Sequence, residues 1–491
     1  MAAARTARAA IGAARVSGSV AALAAPGSRR ATRTWIARYG DWLRAHGALI
    51  RAVQWIVVAI YAFLIIVPAL SPLPGNDAHA LDNLTIFAQW AFWGVWWPFV
   101  ILSMFVAGRT WCGVFCPEGT LTEAASRFGL HRAVPRWMKW GGWPFVAFAL
   151  TTVFGQLVSV YQYAQAAMLV LGGSTLAAIV VGFVYGREKR VWCRHLCPVN
   201  GVFAVLARVA PVHYRVDREA WARNAGHVAI HPVNCPPLVR IRRMTGAADC
   251  HMCGRCSGHL DAVEMAWRPA SREVAALQAD DASAWDAMLI VFGMIGLAIG
   301  AFHWNASPWF VQLKLAAAGF VIDHGPQWLL QDNAPWWLLT HYPAANDVFT
   351  WLDGLLIASY IVATGAVVAA AVWASLWVAA RPYAQPSTPS RLQHARKLAC
   401  ALVPLAGLGV FLGLSSLTVT LARAEGLATG AVPLLRAVVL AIGALWSLRL
   451  AWLQLADVPQ PSQRWTSFCA FAFGVALVAA AWSILFFHWS R

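Results

Sequence analysis

Long apolar runs dominate the chain and alternate with basic segments. A helix needs about 20 predominantly apolar residues to cross a bilayer, and nine runs meet that requirement. They are predicted at 52–70, 84–106, 142–160, 165–186, 286–303, 350–380, 398–421, 432–453 and 466–488. The pattern therefore predicts an all-α polytopic membrane protein with about nine transmembrane helices.

The loops between these runs differ in charge. The first loop contains Asp77, His79 and Asp82 but no Lys or Arg, whereas 107–141 and 187–285 are rich in basic residues. Lys and Arg concentrate in the cytoplasmic loops of membrane proteins. Nine spans then place the N-terminus and both basic segments in the cytoplasm and the C-terminus outside.

Six regions follow from this pattern. They are an Arg/Ala-rich cytoplasmic tail (1–51), a four-helix membrane region (52–186), a cytoplasmic segment (187–285), a fifth span (286–303), a periplasmic Trp-rich segment (304–349) and a C-terminal four-span membrane region (350–491). The Trp-rich segment also contains several prolines, which favours an interfacial or re-entrant cap over a tenth span.

The composition excludes an ordinary soluble enzyme. Hydrophobic residues make up 59% of the chain and charged residues 12%, against about 25% charged in a typical soluble domain. The net charge of +17 lies in the loops and orients the protein in its membrane. We therefore expect no nucleic-acid partner.

A tryptophan–cysteine motif occurs twice, each time just after an apolar run. Residues 111–117 read WCGVFCP and residues 192–198 read WCRHLCP. Residues four apart share one face of a helix, and the proline would end or bend the turn. Each motif thus presents two thiols near the membrane surface. We name these four residues the paired-motif cysteines: Cys112, Cys116, Cys193 and Cys197.

A second group of cysteines lies in the long basic segment. Cys250, Cys253 and Cys256 have the C-x-x-C-x-x-C spacing of a bacterial ferredoxin loop. The usual fourth position is Leu260, which cannot ligate, and Cys235 before Pro236 offers the missing thiol. We name this group the loop cysteines: Cys235, Cys250, Cys253 and Cys256. Two sets of four thiolates suit two [4Fe–4S] clusters in a small cytoplasmic ferredoxin-like loop domain and at the membrane surface.

Other interpretations of the cysteines stay open at this point. Four thiolates also satisfy a tetrahedral zinc ion, and the paired-motif cysteines leave the cluster type undecided. Disulfides are not expected at a reducing cytoplasmic face. Cys400 and Cys469 lie at the ends of late runs without a partner pattern, so we expect buried apolar thiols.

Several polar residues are further candidates. His195, His251 and His259 neighbour the cysteines and would hydrogen-bond sulfur or face solvent, and Arg194 and Arg255 would offset the charge of anionic clusters. The candidates for a metal or substrate site outside are Asp77, His79, His303, Asp323, His324 and His341. No apolar run carries a histidine near its middle, which disfavours paired haem ligands.

At these motifs the chain resembles the bacterial membrane-bound polyferredoxins, which include the quinol-oxidising membrane subunit of periplasmic nitrate reduction. The resemblance covers roughly residues 50–270. It implies a protein of the bacterial inner membrane whose cytoplasmic [4Fe–4S] clusters pass electrons between a cytoplasmic or quinone-pool partner and a periplasmic redox system. The ligands carried over by position are Cys112, Cys116, Cys193, Cys197, Cys250, Cys253 and Cys256.

Two further stretches are similar to a narrower branch, the polyferredoxin encoded with periplasmic ferrous-iron uptake systems. They are residues 116–123, and the outer segment 342–347 together with residues 351–354. This resemblance implies a link to iron transport and an iron permease complex or periplasmic metalloprotein as the outer partner.

The expected function is electron transport by a component of an oxidoreductase system, not by a stand-alone enzyme. The basic inner loops suit an acidic soluble ferredoxin or flavoprotein as the inner partner. The alternatives are a redox-sensing regulator, an assembly factor, and a permease with a structural zinc or iron–sulfur domain. A permease would need ionisable residues at mid-membrane, for which Asp353 and Lys314 are the candidates.

Overall fold

The computed structural model describes residues 34–75, 77–225, 233–383 and 390–489. Helices dominate this part of the chain. In order they are α1 (Trp35–Ala45), α2 (Gly47–Leu70), α3 (Leu84–Ala107), α4 (Pro117–Ala125), α5 (Trp143–Leu157), α6 (Ala164–Tyr185), α7 (Val191–His195), α8 (Asn200–Ala207), α9 (Arg218–Asn224), α10 (Arg272–Ala275), α11 (Ala284–His303), α12 (Pro308–His324), α13 (Trp351–Ala379), α14 (Arg391–Ala401), α15 (Val403–Ala424), α16 (Val432–Gln454) and α17 (Pro461–Trp489). Two short antiparallel pairs of strands complete the fold: β1 (Val212–Val216) with β2 (Val263–Trp267), and β3 (His341–Tyr342) with β4 (Asp347–Val348).

Eight helices of the described chain are long and apolar enough to cross a membrane: α2, α3, α6, α11, α13, α15, α16 and α17. They confirm the expected all-α, multi-pass membrane protein. The largest difference from the predicted spans concerns 398–421, where the long helix begins only at Val403. Pro404 lacks the N–H that would bond the carbonyl of Cys400, so α14 ends at Ala401 and a new helix starts.

The predicted third span, 142–160, corresponds to the shorter helix α5. Its 15 residues extend about 22 Å at 1.5 Å per residue, against about 30 Å for the hydrocarbon core of a bilayer. The indole of Trp143 donates to the Trp137 carbonyl at 2.6 Å, and the Leu157 carbonyl accepts from the Thr340 N–H at 2.8 Å. These contacts lie in loops at opposite ends of the long helices, so α5 connects the same two faces as they do.

The loops gather on two faces of the helix bundle. We name as the cysteine face the segments 108–142, 186–225, 233–283, 390–402 and 455–460, and as the opposite face the segments 77–83, 158–163, 304–350 and 425–431. On the cysteine face, Gln454 donates to the Val274 carbonyl at 2.8 Å. On the opposite face, the Ala80 N–H donates to Glu425 at 2.6 Å. Contacts between loops that are distant in sequence thus close both ends of the bundle.

Helix α11 lies at the centre of the largest apolar core. Val291, Ile295 and Ile299 are fully buried there. A Cβ added at Gly296 would lie 2.4 Å from the Gly365 carbonyl oxygen of α13. Small residues allow two helix backbones to approach closely where the surrounding lipid offers no hydrophobic driving force for packing. The C-terminal helices therefore form a rigid frame beside the cysteine-bearing segments.

A small subdomain covers part of the cysteine face. Strands β1 and β2 pair with Val212 opposite Trp267, and α1 packs Ile36 and Leu43 against the core that contains Tyr214 of β1. This differs from the expected tail over 1–51, because residues 35–45 form α1 and α2 begins at Gly47. The apolar face of α1 explains the difference, since its burial stabilises a short helix. The predicted tail over residues 1–33 lies outside the described residues.

The opposite face contains the predicted Trp-rich cap. It consists of α12 and the β3–β4 hairpin, and α12 is not among the eight long apolar helices of the described chain. Asp353 forms a capping box with Thr350 in the first turn of α13 and pairs with Lys314 at 2.7 Å. Asp353 and Lys314, the two candidates for charges at mid-membrane, therefore lie together at a helix end. Neither residue then supports a permease.

Candidate metal centre

The two tryptophan–cysteine motifs share one backbone feature. In each, the N–H of the second cysteine donates to the carbonyl of the motif's tryptophan, from Cys116 to Trp111 at 2.9 Å and from Cys197 to Trp192 at 3.0 Å. In the second motif the Leu196 N–H also keeps the four-residue helical bond to the Trp192 carbonyl, at 2.9 Å. Pro117 ends the turn of the first motif as predicted: the turn stops at Phe115, Cys116 is extended, and Pro117 occupies the first position of α4, where its missing N–H removes no helical bond.

The paired-motif cysteines come together on the cysteine face. Cys116 lies close enough to Cys112 and Cys193 for the charges of their thiolates to interact. Cys197 interacts in the same way with Cys116 and Cys193. Cys112 and Cys193 are buried. Burial raises the pKa of the Cys193 thiol to about 12, against the lowering effect of Arg190. Two motifs separated by helices α4 to α6 thus bring their cysteines to the same region of the cysteine face, although no three of these thiols are arranged around a single metal ion in the described chain.

The loop cysteines form a second group. Cys256 lies within electrostatic range of Cys250, Cys253 and Cys235. Burial raises the pKa of the Cys250 thiol to about 12. Cys235 is the remote member, and two contacts place it: the Arg190 N–H donates to the Pro236 carbonyl at 2.8 Å, and Lys189 donates to the Cys235 carbonyl at 3.2 Å.

The two groups of cysteines touch through their backbones. Gly113, inside the first motif, faces the loop so closely that an added Cβ would lie 2.0 Å from the His251 carbonyl oxygen and 2.9 Å from the Cys253 nitrogen. A side chain at this position is therefore excluded unless the loop moves. The glycine keeps the paired-motif and loop cysteines next to each other.

A buried ion network connects three cysteine-bearing segments. Glu123 of α4 accepts from Arg190 at 2.9 Å and from Arg255 at 2.6 Å. Arg190 also donates to the Cys112 carbonyl. Burial alone would raise the pKa of Glu123, but the guanidinium groups of Arg190 and Arg255 outweigh it and lower that pKa. One carboxylate therefore links the first motif, the second motif and the ferredoxin-like loop.

Sequence reasoning missed the residues that make these links. Arg109 and Arg190 both lie three positions before the first cysteine of a motif, and they are 2% and 1% exposed. Arg109 donates to the Ala248 carbonyl at 2.7 Å and to Asn200 at 2.6 Å. The signal was present in the chain, because the repeat extends to R-x-W-C-x-x-x-C-P in both copies. The partners of both arginines lie far away in the sequence, so the neighbouring residues do not indicate them.

Glu118 provides a further link between the motifs. Its carboxylate accepts from the Trp192 indole at 2.9 Å and from Ser174 of α6 at 2.6 Å. Burial raises the pKa of this carboxyl group, while both hydrogen bonds lower it. The tryptophan of the second motif is thus held by the helix that follows the first, whereas Trp111 packs edge-on against Trp96 at 4.9 Å.

The arginines and histidines predicted to lie beside the cysteines differ in the contacts that they make. Arg194 pairs with Asp249, whereas Arg255 shares the single carboxylate of Glu123 with Arg190, which leaves net positive charge beside the cysteines. His251 is 2% exposed, and its Nδ1 has no partner among the described residues.

Two further predictions concern His259, beside the loop cysteines, and the two late cysteines. His259 packs edge-on against Trp221 at 5.1 Å. Cys400 is buried as predicted, but the prediction for Cys469 is wrong, since its side chain is exposed on the outer surface of α17.

The outer candidates do not form a common site in the described chain. His79 pairs with Glu425 at 3.5 Å, and His303 is buried against Trp489 with their ring centroids 5.0 Å apart. His324 stacks on Phe320 of its own helix. Among the described residues, no three His, Cys, Asp or Glu side chains are arranged as the ligands of a single metal ion.

The donor chemistry of both cysteine groups suits an iron–sulfur cluster. All eight cysteines are free thiols, and thiolate sulfur is the ligand type of [4Fe–4S] clusters. Thiols must lose their protons to bind metal. The buried guanidinium groups of Arg109 and Arg190 supply positive charge beside the sets. The residues present therefore fit such a group.

Comparison with known proteins supports this assignment. The family described as "4Fe-4S binding domain" matches residues 89–135 and 168–216. Each segment contains one tryptophan–cysteine motif, and the loop cysteines lie outside both. The match establishes [4Fe–4S] clusters as the cofactor.

Two curated relatives share the name methylamine utilization ferredoxin-type protein MauN. The relative from Methylorubrum extorquens is 28% identical over 139 residues, which are 26% of this chain and 48% of the relative. The relative from Paracoccus denitrificans is 25% identical over 233 residues, 40% of this chain and 77% of the relative. The chain thus spans about half the length of the first relative. No solved structure matches the chain. Together, the two matched segments, the two ferredoxin-type relatives and the eight apolar helices of the described chain show a 4Fe–4S membrane protein that is similar to ferredoxin-type proteins.

Proposed function

We propose that this protein transfers single electrons through two [4Fe–4S] clusters held side by side on its cysteine face. The paired-motif cysteines hold one cluster and the loop cysteines the other. The observation that carries the proposal is the contact between the two groups, in which Gly113 touches the backbone of His251 and Cys253. A bound [4Fe–4S] cluster supplies one-electron chemistry, with a potential set by its hydrogen bonds and exposure.

The protein's own residues would position these clusters and balance their charge. Glu123 with its two arginines holds the motifs and the loop in one arrangement. Arg109 and Arg190 place buried positive charge beside thiolates that become anionic on binding. Burial of Cys112, Cys193 and Cys250 keeps water from these ligands. These roles favour electron transfer with little rearrangement of the protein.

We further propose that the cysteine face is cytoplasmic, in a bacterial inner membrane. The described basic residues support this orientation. On the opposite face and at the helix ends next to it, the basic residues are Lys314, Arg423 and Arg436. The loops 108–142, 186–225 and 233–283 of the cysteine face contain many more basic residues. A concentration of Lys and Arg marks the cytoplasmic side. Electrons then pass between a cytoplasmic or quinone-pool partner and a periplasmic redox system.

The orientation can be tested with two exposed positions of the described chain. Leu81 on the opposite face is 93% exposed, and Phe128 on the cysteine face is 83% exposed. Leu81→Cys should react with a membrane-impermeant maleimide in intact cells, and Phe128→Cys only after the cells are opened. If Phe128→Cys were labelled in intact cells as strongly as in opened cells, the cysteine face would be periplasmic and the proposed orientation would be wrong.

A link to ferrous-iron uptake belongs to the same proposal. Its support is the outer hairpin, whose Tyr342 stacks on Tyr163 at 3.6 Å while Tyr163 donates to Asp347 at 2.8 Å. This packing of two buried tyrosines fixes the hairpin on the opposite face, and the outer partner proposed there is a periplasmic metalloprotein or an iron permease complex. Cys193→Ser should slow iron-limited growth, and Cys400→Ser, a buried thiol outside both sets, should not. Equal growth of both strains would refute the link.

The clusters themselves are tested by spectroscopy of anaerobically purified protein. Cys116→Ser and Cys250→Ser should each remove one of two EPR signals from the reduced protein, with the other signal retained. Cys400→Ser should retain both. Zinc without acid-labile sulfide would reject the electron-transfer function in favour of a zinc-stapled assembly factor. Clusters that exchange no electrons with any partner would instead favour a redox-sensing regulator.

A further inference from the structure

Three exposed arginines line one cleft beside the loop cysteines. Arg218, Arg242 and Arg243 enclose a cleft of about 570 Å³. None of the three has a carboxylate partner among the described residues, unlike the neighbouring Arg215, which pairs with Glu264. Three uncompensated guanidinium groups create a strongly positive surface that attracts carboxylates and phosphates.

The cleft rests on the core that contains the loop cysteines. Arg218 begins α9, whose Trp221 packs against this core. Arg242 and Arg243 belong to a short turn, and its residue Ile241 packs on the same core. The core includes Cys250 and Met252, and the partly exposed Cys256 packs against it. The segments that carry the arginines and those that carry Cys250 and Cys256 thus pack on the same small core.

The position of the cleft distinguishes a soluble partner from a lipid surface. Val212, at the start of β1, lies at the membrane end of the hairpin, because its carbonyl oxygen is 3.5 Å from the Cβ position of Gly108, just after α3. The strand then runs to Val216, and α9 with Arg218 follows. Five residues of strand extend about 17 Å. The arginine cleft therefore lies at the end of the subdomain away from the membrane.

We infer that this arginine cleft is the docking site of a small acidic soluble protein that carries single electrons. The inference rests on the electron-transfer function proposed above and names the surface at which it begins. In the step, the carrier is oxidised by one electron and the centre held by the loop cysteines is reduced by one, and no bond forms or breaks. Charge steers the encounter, and the shared core keeps the cleft and the loop cysteines in one subdomain.

The test uses the full chain in lipid nanodiscs with reduced plant-type [2Fe–2S] ferredoxin as the acidic carrier. The triple variant Arg218→Ser, Arg242→Ser, Arg243→Ser is compared with a control that loses the same charge from the exposed loop after the first motif: Arg132→Ser, Arg136→Ser, Lys139→Ser. The second-order rate of cluster reduction should fall about tenfold or more in the cleft variant at about 10 mM ionic strength. The difference should disappear at about 1 M, where the Debye length is only about 3 Å.

Three results would overturn the inference. Equal rates for the cleft variant and the control at low ionic strength would exclude the cleft as the docking site. Loss of binding to phosphatidylglycerol vesicles, with the ferredoxin rate unchanged, would assign the arginines to lipid. Reduction of the clusters by excess dithionite, which needs no docking partner, distinguishes a wrong docking site from failure of the proposed electron-transfer function. No dithionite-dependent change in the unaltered protein would refute that function, and with it the inference.

Discussion

The ion network around Glu123 offers the most direct test of how the two cysteine groups are held together. Glu123→Ala removes the carboxylate that accepts from Arg190 at 2.9 Å and from Arg255 at 2.6 Å. Glu123 is 5% exposed and Arg190 1% exposed, so water cannot replace the lost bonds. Removal of one partner from a buried ion pair leaves an uncompensated charge and typically costs about 3–5 kcal/mol.

The structure favours the lower end of this range. Arg255 is about one-third exposed, so water compensates part of its loss. About 3 kcal/mol corresponds to a change of about a hundredfold in the population of the opened state, in which α4 separates from the ferredoxin-like loop. Transfer of iron from the protein to a strong chelator requires this opening. Iron release from Glu123→Ala in nanodiscs should therefore be about a hundredfold faster than from the unaltered protein.

Arg127 provides the matched control. It contacts the same carboxylate at 4.0 Å but is 48% exposed, and exposed pairs contribute about 0–1 kcal/mol. Arg127→Ala should change iron release by less than about fivefold. Glu123→Gln, which keeps an acceptor without the charge, should give an intermediate rate and remains measurable if Glu123→Ala does not fold. Release from both Glu123 variants at the rate of Arg127→Ala would show that the network does not hold the cysteine segments together.

Three further outcomes follow from individual contacts. Gly113→Ala should lower the amount of bound iron, because its Cβ would lie 2.0 Å from the His251 carbonyl oxygen. Gly319→Ala, whose Cβ would have nothing within 4 Å, should keep the normal amount. Normal bound iron in Gly113→Ala would show that the loop does not lie against Gly113. Arg109→Lys should lower the free energy of unfolding by about 1–3 kcal/mol, because an ammonium cannot keep both hydrogen bonds of the buried fork. Thermal unfolding checks this against the exposed Arg132→Lys, and equal midpoints would contradict it. Asp353→Ala should cost about 1–2 kcal/mol through loss of the capping box and leave the iron content unchanged. Loss of iron in that variant would instead couple the opposite face to the clusters.

Much of the fold could be predicted because membrane helices obey a local rule. Each long apolar run satisfies its own backbone hydrogen bonds, so its location needs no information about neighbours. The errors occur where neighbours matter. Residues 35–45 become α1 only because Ile36 and Leu43 find the core beside Tyr214, and α5 crosses the bundle although it has only 15 residues.

The candidate site divides in the same way. The spacing of the cysteines indicated two sets of four, and the repeated motif pointed to the membrane surface. The partners of Arg190 were not predictable, since Glu123 lies 67 positions away in the sequence. Arg194 and Arg255 were expected beside the clusters, and only the structure showed that Arg194 pairs with Asp249 and that Arg255 shares Glu123 with Arg190.

By itself, the sequence determined the membrane class and predicted which thiols would hold the clusters, because apolar length and cysteine spacing act over a few helical turns. Only the tertiary structure decided that the backbones of the two cysteine-bearing segments touch at Gly113 and that buried arginines link them. It also brought Arg218, Arg242 and Arg243 together around one cleft. Such contacts join segments that are far apart along the chain, and they arise only when the helices pack and close both faces of the bundle.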